Sequence, residues 1–254
     1  MKTRRQLPCF GYLDNMSIDM PALLKHLEVN GLLDYDRYND INLKSQSTMR
    51  DFVVANEYCH SSFFKEEGYD AMNSDKFRHL MLTKFDETKR RQGVEFKFTS
   101  AYERQRRLDP SNPNYMPEAD ELNYGVRTEL VTGEIEKILD MFTSKITRVR
   151  LAYIAGNHDL KPHIDYDPSY IVRYHIPIIT NPGVTMYMDR GNQKYARHLP
   201  ADGRVYFFNT GIRHWVINNS DLDRVHLIID VHGQNELDHL VSLDEESLME
   251  PQTI

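Results

Sequence analysis

Residues 204–231 read RVYFFNTGIRHWVINNSDLDRVHLIIDV, and three short strands are legible in them. RVYFFN, RHWVIN and RVHLIIDV are rich in β-branched and aromatic residues, and the turn signal NNSD separates the last two. Working outward, RVRLAYIA (148–155), YIVRYHIPIIT (170–180) and VTMYM (184–188) share this texture. GNHD, NPG, DRGN and ADG supply the turns between them. Many short strands spaced in this way predict a sandwich or barrel.

The region before these strands has another texture. In MPALLKHLEV (20–29) the residues Leu23, Leu24 and Leu27 have helical spacing, with Asp19 before the segment and Gly31 just past it. Ser47 is a possible N-cap for a second helix through TMRDFVVANEY. DKFRHLMLTKF (75–85) predicts a third, with Phe77, Leu80, Met81 and Phe85 as its apolar positions. Residues 96–124 read as a long loop rich in Pro, Asn and charge, and Arg104, Arg106 and Arg107 on it could meet an acidic group. From Glu129 to Ser144 the apolar stripe Val131, Ile135, Ile138, Leu139 and Phe142 predicts an amphipathic helix. The expected organisation is therefore mainly β with N-terminal helices (α+β). Residues 1–147 form helices and loops, 148–234 a β core and 235–254 a tail. No Gly/Ser/Pro linker divides them, so they are expected to pack as one structural unit.

The 254 residues are 40% hydrophobic and 27% charged, a composition that supports a sizeable core. A net charge of -7, from 38 acids against 31 bases, argues against a nucleic-acid partner. There is no run of apolar residues long enough for a transmembrane helix, and no signal-peptide run follows the basic N-terminus. Cys9 and Cys59 make no disulfide framework and suit a reducing cytoplasm, which is the expected location. Cys59 lies beside His60, but adjacency alone makes neither a metal site nor a catalytic pair.

The chemistry concentrates in 163–230. In HIDY, a period of two puts His163 and Asp165 on one side of an extended segment. His214 would come from the separate strand RHWVIN. Two imidazoles and one carboxylate are the donors of a facial-triad iron site with open coordination positions. The same period aligns Arg173 with His175, and Arg224 with His226, Ile228 and Asp230. A buried charge needs a partner, and an anionic co-substrate would provide one. Arg224, ten positions after His214, could grip a carboxylate through two parallel hydrogen bonds. The plainer reading of Arg224 is a surface ion pair with Asp221 or Asp223. His158, Asp159, Asp167, His198, His226 and His232 are rival candidates near the site, with His158 read as a turn residue and His232 as lying past the last strand.

The segments KITRVRLAYIAGNHDLKPHID (145–165), RYHIPIITNPGV (173–184) and GIRHWVINNSDLDRVHLIIDV (211–231) resemble the aspartyl/asparaginyl β-hydroxylase family. These are iron(II)- and 2-oxoglutarate-dependent oxygenases on a double-stranded β-helix, the jelly-roll or cupin-like fold. The resemblance implies a dioxygenase that hydroxylates an amino acid, free or within a peptide or protein, with Fe(II), 2-oxoglutarate and O2. It implies His163 and His214 as metal ligands, Arg224 for the distal carboxylate of 2-oxoglutarate, His175 near its other end, and Arg173 near co-substrate or substrate. Some members, such as the vertebrate peptide hydroxylases, lack the carboxylate ligand. Asp165 makes this chain more like bacterial members that act on free amino acids, such as the cis-proline hydroxylases. The vertebrate enzymes use a serine upstream of the first histidine; here that region reads Leu151-Ala152-Tyr153, and Tyr153 would substitute for it. A non-oxidative metal-binding cupin-type protein or small-acid binding module is the alternative. A pure interaction module working through the 96–124 loop would leave Arg173, His175 and Arg224 unexplained.

Overall fold

The structure is a computed structural model that describes residues 1–35, 38, 76–89, 111, 115, 117 and 120–249. In chain order its elements are β1 (Phe10–Ser17), α1 (Met20–Val29), β2 (Phe77–Met81), β3 (Thr83–Lys84), β4 (Val126–Arg127) and α2 (Gly133–Asp140). There follow β5 (Lys145–Ile154), β6 (His158–His163), β7 (Val172–Ile179), β8 (Val184–Arg190) and β9 (Gln193–Arg197). The chain then forms β10 (Arg204–Phe208), β11 (Arg213–Asn218), β12 (Arg224–His232), β13 (Leu240–Ser242) and a short α3 (Asp244–Ser247).

Apart from the two-stranded ribbon of β3 and β4, the strands among the described residues form two facing sheets. The larger has the order β13-β1-β10-β7-β12-β5-β2, and the smaller β6-β11-β8-β9. From β5 to β12 the chain passes back and forth between them, and every neighbouring pair is antiparallel. This is the double-stranded β-helix, a jelly roll. Each strand of the large sheet divides its residues by the two-residue period. Val149, Leu151, Tyr153, Tyr174, Leu227 and Ile229 face outward, against Leu23 and Leu27 of α1 and Ile135, Ile138 and Leu139 of α2. Phe77, Ile154, Tyr206 and Phe208 face inward, against Met186, Met188 and Val216 of the small sheet. The inner cleft left between the sheets holds the buried charges of Arg150, Arg224 and Asp230.

The helix expected at 20–29 is α1. The Asp19 carboxylate accepts from the Ala22 N–H at 3.0 Å, and Pro21 sits in the first turn, where no donor is needed. Gly31, at φ +63°, ends it, and the Leu32 N–H returns to the Leu27 carbonyl at 2.8 Å. The helix expected over 129–144 is shorter, 133–140. It starts at Gly133 (φ +53°), where a Cβ would lie 2.7 Å from the His26 ring, so this glycine allows α2 to meet α1.

Three expectations are corrected. Residues 75–85 are not a helix: Phe77–Met81 is strand β2, paired with β5 in the register Phe77↔Ile154, His79↔Ala152 and Met81↔Arg150. The backbone groups along the outer side of β5 need partners, and that requirement overrides an ambiguous local pattern. The first 147 residues are likewise not only helices and loops, since β1 and β2 extend the large sheet at both sides and β5 begins at Lys145. His158 opens β6, and His232 closes β12 rather than following it. The second expected helix, Cys59, His60, Arg104, Arg106 and Arg107 lie outside the described residues. Cys9 is fully buried, and burial, followed by the nearby Asp244, pushes its thiol up to about 12. It is an inert core residue. Among the described residues no helix is long and apolar enough to cross a membrane.

Candidate metal centre

His163 closes β6 and His214 lies near the start of β11, and the two are direct cross-strand partners. Directly opposed residues share a face, and their rings stand 4.2 Å apart between centroids. Asp165 joins them by a different route from the one expected. It lies beyond the end of β6, so strand alternation does not place it. Its backbone N–H donates to the Thr210 carbonyl at 2.9 Å, which turns the chain back across the mouth of the sheet. Asp165 Oδ1 then sits 4.0 Å from His163 Nε2, and Oδ2 sits 4.0 Å from His214 Nε2. One ligand atom from each of the three residues lies within 4.8 Å of the others.

The protonation pattern suits a cation. His163 Nδ1 lies 2.7 Å from the Lys161 carbonyl, and His214 Nδ1 lies 2.8 Å from that of Ile212. A carbonyl accepts only, so each Nδ1 carries the proton and each Nε2 turns a lone pair toward Asp165. Burial, followed by the neighbouring His163, pushes His214 down to about 3. Burial would raise the Asp165 pKa, but Arg173 and the two histidines outweigh it and hold the carboxyl well below the usual range. Two imidazole nitrogens and one carboxylate form a mixed nitrogen–oxygen donor set that fits a divalent first-row metal.

Behind the cluster lies a chain of buried ions. Arg173 Nη1 donates to Asp165 Oδ2, while its Nε and Nη2 grip Asp230 at 2.6 and 3.0 Å. Arg150 Nη1 also donates to Asp230, at 2.9 Å. Arg173 was expected against a co-substrate or substrate; here two carboxylates of the chain itself occupy it. Arg224 differs. It is 2% exposed, and Asp221 and Asp223 are engaged elsewhere, with Asn157 and the Gly156 N–H, so the surface ion-pair reading fails. Among the described residues no carboxylate pairs with it. Its Nη2 donates to His226 Nδ1 at 2.7 Å, and its Nε has no partner. Burial, followed by Arg150, pushes its guanidinium down to about 9. His175 Nδ1 stands 3.3 Å from the same His226 nitrogen, which has a lone pair for both donors. The Nε2 atoms of His175 and His226 are buried without partners.

Tyr153 is not part of this site. Alternation along β5 turns it outward, where it stacks on Tyr35 at 4.6 Å with Arg78 over its ring. The residue that faces inward there is Ala152, in register between His79 and His226. The rival residues are also accounted for. Asp167 caps the Ser169 N–H, His198 Nδ1 donates to the Val184 carbonyl, and His232 Nδ1 donates to that of Tyr170. His158 pairs with Asn218 at the far end of β6, with Asp159 opposite Ile217. Among the described residues, His163, Asp165 and His214 are the group placed to share an ion. Asp230 shared the inward period of Arg224 in the sequence, although nothing there showed which arginines it would hold. His79 was hidden by the helical reading of its segment.

A family model described as Aspartyl/Asparaginyl beta-hydroxylase matches residues 111–233. Among solved structures the chain is similar to an oxidoreductase of the 2OG-Fe(II) oxygenase family from Burkholderia pseudomallei. The two are 14% identical over 62% of this chain and 69% of that one, with a TM-score of 0.35. A cupin domain from Bordetella pertussis is 18% identical over 36% of this chain and 88% of its own, with a TM-score of 0.28. A prolyl-4-hydroxylase from Pseudomonas putida is 16% identical over 39% and 56%, with a TM-score of 0.30. No curated protein matches. The segment that this family model matches, residues 111–233, contains His163, Asp165, His214 and Arg224.

Proposed function

We propose that the protein is an iron(II)- and 2-oxoglutarate-dependent oxygenase that hydroxylates an amino acid, free or as a residue of a peptide or protein. One observation carries this reading. The same inter-sheet cleft holds a two-histidine, one-carboxylate cluster and a buried guanidinium, Arg224, that lacks a carboxylate partner among the described residues. Three guanidinium groups, of Arg150, Arg173 and Arg224, stand against two carboxylates, of Asp165 and Asp230. Arg150 and Arg173 share those two, and the excess charge falls on Arg224. A dicarboxylic 2-oxo acid answers both features, since it can chelate a metal at one end and pair with Arg224 at the other.

Iron(II) in this cluster, with 2-oxoglutarate as the source of electrons, would supply the oxygen activation. The chain's own residues position and protect. His163, Asp165 and His214 would hold the ion, and Arg173 fixes the Asp165 carboxylate. Arg224 would bind the far carboxylate of the co-substrate, its Nε being buried without a partner among the described residues. Phe208, whose ring stands edge-on to both His175 and His214, shields the cleft from water. His163 and His214 would meet the ion through Nε2 while Nδ1 is held by a backbone carbonyl, so no side chain need act as acid or base.

The test is anaerobic reconstitution with iron(II), followed by 2-oxoglutarate. A metal-to-ligand absorption band, and succinate on admission of O2, are expected. Binding of iron without any band on adding 2-oxoglutarate would overturn the oxygenase reading and leave a non-oxidative metal protein. A screen of free amino acids and peptides for a gain of one oxygen then identifies the substrate.

A further inference from the structure

Strand β2 lies outside residues 111–233, yet it sends a histidine into the same cleft. His79 has the parity of Phe77, which packs inward, whereas Leu80 and Leu82 pack outward. Its ring meets Phe77 edge-on at 4.6 Å. On the neighbouring β5 the residue in register with it is Ala152, and on β12 the next in that row is His226. Two imidazoles therefore flank a methyl group across three strands. Two strand spacings amount to about 9.6 Å, enough to leave room above the alanine for a small group within hydrogen-bond reach of both sides.

The edges of that space are polar nitrogens without partners. His79 Nε2, His226 Nε2 and Arg224 Nε are each buried and have no hydrogen-bond partner among the described residues. Arg224 reaches the row because its guanidinium is bonded to His226. A buried polar atom left unpaired costs on the order of 1–3 kcal/mol, so three around one alanine call for a ligand that accepts hydrogen bonds. The charged groups that act on His79 are arginines from β5, β7 and β12: Arg150, Arg148, Arg173 and Arg224. With burial first, they hold its pKa well below the usual histidine value. It is thus a neutral imidazole in a positive field, suited to an anion once its Nε2 carries the proton.

We propose that His79 is a further co-substrate-binding residue, donating from Nε2 to the carboxylate that Arg224 holds, above the floor made by Ala152. This rests on the oxygenase reading and adds to it a contact from outside the family-matched segment. The anaerobic iron(II)-loaded protein is titrated with 2-oxoglutarate and, separately, with pyruvate, which chelates through the same 2-oxo acid but lacks the distal carboxylate. His79→Ala is expected to weaken 2-oxoglutarate about tenfold, with pyruvate affinity and iron affinity unchanged. His79→Gln, which keeps a donor, should recover most of the loss. Equal 2-oxoglutarate affinity in wild type and His79→Ala, or equal weakening toward both acids, sinks the assignment while leaving the oxygenase reading intact. A wild type that binds no 2-oxoglutarate overturns both. Should the variants not fold, the imidazole nitrogens of wild-type His79 are followed by NMR. A shift with 2-oxoglutarate and not with pyruvate supports the contact, and no response refutes it.

Discussion

Arg173 donates to the same Asp165 oxygen that stands 4.0 Å from His214 Nε2, while its other nitrogens are bound to Asp230. The carboxylate at the centre of the histidine pair is thus held from behind by a guanidinium that cannot itself rotate. Groups of this kind orient a ligand and set its charge, and losing one typically lowers metal affinity about 10–100-fold. Arg173→Gln should therefore weaken cobalt(II) or iron(II) binding by that factor, read by anaerobic titration. The same variant leaves Asp230 with only Arg150, so a lowered melting temperature is also expected. An unchanged metal affinity would show that Asp165 needs no support.

Arg224 gives a prediction of the opposite sign for stability. A buried charge without a counter-charge costs several kcal/mol, and an apolar group of similar volume removes that cost. Arg224→Met should abolish measurable 2-oxoglutarate binding in the iron-loaded protein. In the metal-free protein it should raise the melting temperature, by about 2–4 °C for each kcal/mol gained in a chain of this size. A stability loss greater than about 1 kcal/mol would mean that the guanidinium already has a counter-charge, and the anion-site reading would fail.

These relationships show where the sequence was informative. Strand alternation alone puts Arg224, His226 and Asp230 on one face, because a period of two is a property of the extended backbone itself. It failed for Asp165, which lies past the end of a strand and is placed by a backbone bond to Thr210, 45 residues away in sequence. It also failed at 75–85, where Phe77, Leu80 and Met81 suit a helix as well as a strand, and only the open side of β5 decides between them. Chemical type was legible throughout. Partnership was not, since Asp230 had three nearby arginines to choose from and the sheet register made the choice.

Tyr153 was expected to help bind 2-oxoglutarate, and its outward position on β5 makes the opposite prediction. Tyr153→Phe removes a hydroxyl from the helix-packed face and should leave 2-oxoglutarate affinity within about twofold of wild type. The stability cost should be on the order of 1 kcal/mol, the worth of one hydrogen bond. A loss of more than tenfold in affinity, with iron binding intact, would place the tyrosine in the cleft after all.

The buried histidines set the acid limit of the metal-free protein. His214 is pushed down from 6.5 to about 3, and His79, His175 and His226 are also held well below 6.5. Each folded-state pKa is below its unfolded value, so below about pH 6.5 the unfolded chain takes up protons that the folded chain refuses. Stability is therefore full above pH 6.5 and falls as the pH drops toward 3, each such group contributing a slope of up to about 1.4 kcal/mol per pH unit. Asp165 and Asp230, whose carboxyls are held below the usual range, add to the loss below about pH 4. Urea melts at pH 7.5, 6.5 and 5.5 should show little change over the first step and a loss of several kcal/mol over the second. His226→Phe, which removes one of the four imidazoles without touching the metal cluster, should flatten the second step by about one group's share. A profile with the same slope on both sides of pH 6.5 would mean that these imidazoles reach solvent and titrate normally.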